Sequence, residues 1–169
     1  MKTDLLWTRR HTLAALLTGP IGLQAQTTLH AAPAGVLDWP TLVTIEGQTL
    51  APEHWRGRPA VIVFWATYCA FCKRHNAHID KLFRSVDADR LCVLGVVMDA
   101  DRAGARKYMQ AQGYRFPVVQ DDGRLRGRFT ARRVIPMTCT VAADGRVQQC
   151  IPGEMAEDAV LELARLGRP

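Results

Sequence analysis

Residues Phe64 to His78 read FWATYCAFCKRHNAH. This stretch sets Cys69 and Cys72 three positions apart, shortly after the apolar run Ala60–Trp65. A continuous β-branched run of this kind is typical of a strand that is buried on both faces of a sheet. After Cys69 the apolar residues recur at helical spacing. The cysteine pair is therefore predicted at a strand-to-helix junction.

A Cys-x-x-Cys pair at such a junction, in a chain that alternates strands and helices, is typical of thiol–disulfide redox chemistry. A cysteine in the first turn of a helix meets unpaired backbone N–H groups and the positive end of the helix dipole, and both stabilise its thiolate. We therefore expect Cys69 to be the attacking thiolate. Cys72 lies almost one turn further along and is predicted to be more buried, so it would resolve the mixed disulfide.

The flanking sequence predicts an α/β fold in which helices cover a mixed central sheet. Because a helix connects the two buried strands, these strands should be parallel, whereas the last hairpin should add antiparallel edge strands. The predicted elements are a hairpin in Trp39–Leu50, strands Ala60–Trp65 and Leu91–Met98 with a helix from Cys69 between them, a helix in Asp101–Gln112, an extended piece at Phe116–Val119, a hairpin around Asp144-Gly145 and a helix in Glu154–Leu166.

Length and charge narrow the classes of function. The chain has 169 residues, the size of one domain, and a formal net charge of +6. Its basic residues are spread along the chain and are not interleaved with aromatic residues, which favours a solvated basic surface over a nucleic-acid site.

The first 34 residues are predicted to be an export signal and a short linker, followed by one domain over residues 35–169. Arg9 and Arg10 precede the apolar run Leu13–Leu23, and small residues follow this run. The arginine pair resembles a twin-arginine signal, and ordinary secretion remains open. The apolar run is too short for a bilayer core of ~30 Å, which needs about 20 residues, so we expect no stable membrane insertion. Cleavage between about residues 25 and 34 would leave the protein in the periplasm, where disulfides persist.

Three segments resemble one known family. The segment FWATYCAFC (64–72) resembles the Trp-Ala-x-x-Cys-x-x-Cys active site of thioredoxin-fold proteins, especially the TlpA/ResA-type periplasmic thiol-disulfide oxidoreductases. The segment IEGQTLAPEHWRGRPAVIVFWAT (45–67) resembles the N-terminal hairpin that leads into the active-site strand, and RVIPMTCTVAADGRV (133–147) resembles the segment that carries a cis-proline. The resemblance covers nearly all of residues 36–167 and implies a thioredoxin-like fold.

The resemblance also implies a set of substrate contacts. Pro136 would have a cis peptide bond opposite the cysteines, and Ile135 would offer backbone hydrogen bonds to an extended substrate segment. Trp65, Tyr68 and Phe71 would supply an apolar rim. The implied activity is reduction of periplasmic protein disulfides, with re-reduction by an electron donor in the membrane. No cofactor and no resident metal are expected.

Two departures from the family concern proton transfer. TlpA/ResA-type proteins usually carry a glutamate three residues after the second cysteine, where this chain has His75, and the buried aspartate of cytosolic thioredoxins falls at Val63. His75 lies one helical turn from Cys72 and is a candidate for proton transfer, which would couple the site to pH near neutrality. It is equally compatible with a partly exposed histidine that has no role.

The same residues allow other functions. Cys69, Cys72 and His75 could bind copper(I) or zinc in a metal-handling protein. His78 cannot join them, because it lies roughly 180° around the helix from Cys69. A thiol peroxidase on the same fold is the alternative among enzymes. A purely structural disulfide is a further alternative, although it would restrain little of the chain.

Three further cysteines lie outside this motif. Cys92 is predicted to be a small core residue, since it lies in a buried strand. Cys139 and Cys150 flank the Asp144-Gly145 turn. If those two residues alone form the loop, Cys139 lies opposite Cys150 and a disulfide can form. A three-residue loop would shift the register by one and leave two free thiols.

Overall fold

The structure is a computed structural model that describes residues 35–121 and 123–168. The predicted export signal lies outside the described residues. Among the helices of the described ranges, none combines the length and the apolar character that a membrane crossing requires.

Strands and helices alternate along most of the described chain. The strands are β1 (Leu42–Val43), β2 (Thr49–Leu50), β3 (Ala60–Trp65), β4 (Cys92–Val97), β5 (Val118–Gln120), β6 (Met137–Val141) and β7 (Val147–Pro152). The helices are α1 (Ala70–Ser85), α2 (Arg102–Gln112), α3 (Arg124–Phe129) and α4 (Glu157–Glu162), with short 3-10 helices at Pro52–Trp55 and Leu163–Gly167.

The central sheet has the strand order β5-β4-β3-β6-β7. Strand β4 runs parallel to both β3 and β5, whereas β6 runs antiparallel to both β3 and β7. Strands β1 and β2 form a separate antiparallel hairpin in which Leu42 lies opposite Leu50. The prediction of a mixed sheet with an N-terminal hairpin and antiparallel edge strands is confirmed.

Both faces of the sheet carry a hydrophobic core, and β3 contributes alternate residues to each. Ile62 and Phe64 face one core, which also holds Trp39 and Trp55. Val61, Val63 and Trp65 face the other core, where α1 covers the sheet with the buried side chains Cys72, Ile79 and Leu82. Every residue of β3 and β4 is buried, which explains their continuous apolar sequences.

The last predicted helix begins later than its sequence pattern suggests. α4 starts at Glu157, and the segment before it is a loop that follows Gly153 in the left-handed conformation, with φ at 91°. A tertiary contact accompanies this later start, since the backbone N–H of Met155 in the loop donates to Nδ1 of His75 on α1. The short helix α3 was not predicted. It buries only a few of its side chains, among them Leu125 and Phe129, which gives a weak periodic signal.

The hairpin between β6 and β7 contains two irregularities that compensate each other. Its loop has three residues, because the N–H of Ala142 donates to the carbonyl of Arg146. This loop alone would shift the register by one. A bulge at Gln148 restores the register, and Cys139 lies opposite Cys150. The hairpin therefore has the three-residue loop of the second alternative together with the cysteine pairing of the first.

Candidate active site

Cys69 and Cys72 occupy the start of α1 at the end of β3. Cys69 is the N-cap residue, and its Sγ accepts a hydrogen bond from the N–H of Cys72 at 3.1 Å. The two cysteines form a disulfide with a Cα–Cα distance of 5.1 Å. Cys69 is half-buried, whereas Cys72 is fully buried. An external thiol or disulfide therefore reaches the sulfur of Cys69 more easily than that of Cys72.

The turn before Cys69 is held by Asp99, which sequence reasoning missed. The N–H of Thr67 donates to Oδ2 of Asp99 at 2.9 Å, and the Thr67 hydroxyl donates to Oδ1. Gln120 in turn donates to the carbonyl of Asp99 at 2.8 Å. Asp99 follows β4, the parallel neighbour of β3, so its place at the carboxyl edge of the sheet was the signal that could have identified it.

Exposed apolar side chains surround Cys69. Tyr68 is 79% exposed, Phe71 is 59% exposed and Val134 is 47% exposed, which is unusual for large apolar residues. Because Phe64 pairs with Met137, the segment before β6 that contains Val134 runs toward the active-site turn that follows β3. Ile135 is half-buried and has a cis peptide bond to Pro136, which is buried.

Trp65 does not belong to this rim, although it was expected there. The side chain is fully buried, so it cannot contact a substrate directly. It shares a face of β3 with Val61 and Val63, and its ring packs 5.5 Å from that of Tyr108 on α2. A Cβ atom on Gly95 would lie 2.9 Å from its Nε1. The absence of a side chain at Gly95 thus makes room for the indole inside the core.

His75 is fully buried on the same side of α1 as Cys72. Nδ1 accepts the N–H of Met155 at 3.3 Å, so Nε2 carries the proton and donates to Oγ1 of Thr138 at 2.8 Å. Burial and the nearby His78 lower the pKa of His75 to about 4. The imidazole is therefore neutral near pH 7, which opposes the expected role of an imidazolium near neutrality. Proton acceptance from Cys72 would also require one of these two hydrogen bonds to break.

Ionic contacts hold the start of α4 and the loop before it against α1. The guanidinium of Arg74 donates to both carboxylate oxygens of Glu154, at 2.8 and 2.6 Å, and Lys81 lies 2.6 Å from Glu157. These side chains are partly exposed, so each pair adds little stability alone. Together with the Met155–His75 bond, they fix this loop beside the active-site helix.

The other cysteines differ in environment. Cys139 and Cys150 form a second disulfide with a Cα–Cα distance of 4.1 Å; Cys139 is fully buried and Cys150 is half-buried. Cys92 is a free cysteine in the core, and burial raises the pKa of its thiol. Across residues 35–121 and 123–168, no group of three or more histidine, cysteine or acidic side chains is arranged to bind a metal ion.

Comparisons with known proteins agree with this geometry. The thiol-disulfide oxidoreductase ResA of Halalkalibacterium halodurans is 25% identical over 128 residues, which are 76% of this chain and 73% of ResA. A secreted disulfide oxidoreductase of Mycobacterium tuberculosis superposes with a TM-score of 0.64 at 20% identity, covering 74% of this chain and 93% of its own. StoA of Bacillus subtilis gives the same TM-score and identity, with coverages of 73% and 93%.

These solved structures establish the thioredoxin-like fold that the three sequence segments predicted. The family relationship comes from the sequence itself, because the model of the AhpC/TSA family matches residues 30–150, which is more than half of the chain. This match includes β3, both active-site cysteines and the cis-proline. The chain belongs to the AhpC/TSA family, and its fold is that of the thioredoxin-like thiol-disulfide oxidoreductases.

Proposed function

We propose that this protein is an exported thiol-disulfide oxidoreductase that reduces disulfides in other proteins through Cys69 and Cys72. The observation that carries the proposal is the asymmetry of the pair. An accessible sulfur caps the N-terminus of α1, and a buried sulfur lies within bonding distance of it. A helix N-terminus stabilises a thiolate, so the accessible cysteine is the better nucleophile.

The reaction transfers two electrons to the substrate in two exchange steps. The Cys69 thiolate attacks one sulfur of a substrate disulfide, and the other substrate sulfur leaves as a thiolate and takes up a proton. Cys72 then loses its proton and attacks the Cys69 sulfur, which releases the second substrate thiol. The substrate ends as two thiols and the protein ends as the Cys69–Cys72 disulfide. An electron donor in the membrane would return this disulfide to the dithiol.

The proposed substrate surface consists of Tyr68, Phe71 and Ile135, whereas Pro136 is buried behind Ile135 and does not present its side chain to a substrate. Tyr68 and Phe71 offer exposed aromatic surface on one side of Cys69. On the other side, Ile135 lies outside β6, and within the described chain its backbone pairs with no strand of the sheet. Its N–H and C=O can therefore bind an extended segment next to the substrate disulfide.

Export and the direction of electron flow rest on observations other than the geometry of the cysteine pair. Export is supported by the signal-like pattern of residues 1–34 and by the relative from Mycobacterium tuberculosis, which is described as secreted. Reduction of substrates, as opposed to their oxidation, follows from the resemblance to TlpA/ResA-type proteins.

The test of this function measures two activities and the metal content of one preparation. The reduced protein, supplied with dithiothreitol, should accelerate reduction of the insulin disulfides, and its Cys69→Ser variant should not. It should consume hydrogen peroxide slowly and contain less than stoichiometric copper or zinc after reductive purification. Fast peroxide consumption without insulin reduction would favour a thiol peroxidase, and stoichiometric metal lost with either cysteine would favour a metal-handling protein. If the Cys69–Cys72 pair is largely oxidised in cells, the protein would oxidise its substrates, contrary to the proposed reduction.

We further propose that Cys139–Cys150 is a structural disulfide with no part in exchange. The sulfur of Cys139 is buried between β6 and its neighbours, so an external thiolate reaches it poorly. With limiting dithiothreitol, Cys69 and Cys72 should become alkylatable, while Cys139 and Cys150 stay bonded. Peptide mapping after differential alkylation measures both pairs. Equal reduction of both pairs, or free thiols at 139 and 150 after air oxidation, would contradict this assignment.

A further inference from the structure

The buried arginine of α3 contacts the segment that leads to the cis-proline. Arg126 is only 6% exposed, although arginine is rarely found so deep in a protein. Its Nε donates to the carbonyl of Arg132 at 2.9 Å, and its Nη2 donates to the same carbonyl at 2.5 Å. Nη2 also lies 3.2 Å from the carbonyl of Val134. One side chain thus binds two carbonyls of the four residues before Pro136.

The guanidinium is fixed from the other side by the sheet. Its central carbon lies 5.4 Å from the centroid of the Phe64 ring, and Nη1 lies 3.1 Å from Sδ of Met98. Phe64 belongs to β3, the strand that ends at the active-site turn, and Met98 follows β4. Arg126 therefore links the strands that position Cys69 to the segment that carries Ile135.

The burial of Arg126 costs hydration free energy, so the need to fill space in the core does not by itself explain an arginine at this position. A guanidinium loses hydration when it is buried, and its hydrogen bonds must replace that loss. An apolar side chain at this position would fill the same space without desolvating a charge. The planar fork of arginine suits the observed geometry, since two nitrogens can bind one carbonyl while one of them also reaches a second.

We propose that Arg126 is a positioning residue for protein substrates: by holding the carbonyls of Arg132 and Val134, it orients the backbone of Ile135 for an extended segment beside the substrate disulfide. This role rests on the proposed oxidoreductase function. It concerns substrates that pair with the Ile135 backbone, and a small disulfide that reaches Cys69 without such pairing does not need it.

The experiment compares Arg126→Met with Arg128→Met on two substrates. Arg128 lies on the same helix, but it is exposed and contacts Asp38 away from the active site. For insulin, Arg126→Met should lower kcat/KM about tenfold, mainly through KM, because one hydrogen bond lost between the misplaced Ile135 backbone and the substrate corresponds to about a factor of ten. For hydroxyethyl disulfide its kcat/KM should stay within about twofold. Arg128→Met should change neither value beyond about twofold.

Amide hydrogen exchange supplies a readout that does not depend on turnover. In Arg126→Met, exchange should accelerate in residues 131–135 and stay unchanged in α1. If this variant does not fold, Arg126→Lys carries the same comparison, with a loss of about threefold on insulin because lysine keeps the charge but not the fork. Equal losses on both substrates, no loss on insulin, or unchanged exchange in residues 131–135 would overturn the positioning role. A wild type that is inactive on both disulfides would overturn the oxidoreductase function itself.

Discussion

Replacement of Cys72 by alanine is expected to leave the protein covalently bound to its substrates through Cys69. The variant keeps the half-buried nucleophile at the N-terminus of α1 but lacks the thiol that releases the substrate. The mixed disulfide must then be resolved by external thiols in a bimolecular reaction, whereas Cys72 resolves it intramolecularly. Turnover should therefore fall by on the order of a thousandfold or more. Mixed disulfides in extracts of the cells that produce the variant, separated without reductant, measure the trapping, and mass spectrometry of the captured proteins identifies the substrates.

The matched control is Cys69→Ala, which removes the accessible sulfur and retains the buried one. Because Cys72 is fully buried, this variant should trap far less protein than Cys72→Ala. The adducts of Cys72→Ala should disappear with dithiothreitol and should be absent from the double variant. If neither single variant traps a protein and bound metal follows the cysteines instead, the oxidoreductase function is wrong.

The parts of the fold that were predictable are those whose signal is local. Strand β3 and the start of α1 follow from a continuous apolar run and the change to helical spacing at Cys69. The register of the last hairpin was not predictable on the same basis. The three-residue loop and the bulge at Gln148 each move the register by one, and together they give the same pairing of Cys139 with Cys150 as a two-residue loop without a bulge.

The same distinction applies to the site. Cys69, Cys72 and the proline that precedes β6 belong to motifs that are contiguous in sequence. Asp99 and Arg126 were missed because each acts on a segment that is distant in sequence or in another element, and neither belongs to a motif. Trp65 was misassigned for a related reason, since a motif shows which residues recur and not which face of β3 they occupy.

His75 shows most clearly how tertiary contacts change a sequence-based role. Its position on α1 was compatible with an exposed histidine that titrates near neutrality. The loop before α4, which Arg74 contacts through Glu154, instead covers the imidazole, and the N–H of Met155 donates to its Nδ1.

We therefore infer that His75 positions Thr138 and this loop while it stays neutral during exchange. Between pH 6 and 8, His75→Gln should leave the shape of the pH profile of Cys69 alkylation unchanged, and a shifted profile would return His75 to proton transfer.

Because of the same burial, we expect His75 to make the protein less stable in acid. Its pKa is lowered to about 4 in the folded protein, chiefly by burial, against 6.5 for an exposed imidazole. Well above pH 6.5 the residue is neutral whether the chain is folded or unfolded, so it adds almost no pH dependence there. As pH falls from 6.5 to 4, the unfolded chain binds this proton first, and the free energy of unfolding decreases by up to about 3 kcal/mol.

Glutamine at position 75 can keep a donor for Thr138 and an acceptor for Met155 but cannot titrate. Between pH 7 and pH 4, the free energy of unfolding of His75→Gln should therefore fall by about 3 kcal/mol less than that of the wild type. Urea unfolding at several pH values, with both disulfides intact, measures this difference. Burial lowers the pKa of the imidazole, whereas Arg74 lowers that of Glu154, and this carboxylate is present in both proteins. Its protonation therefore affects both curves and largely cancels in their difference. Parallel curves would mean that His75 is as easily protonated in the folded protein as in the unfolded chain, which its two hydrogen bonds and its complete burial oppose.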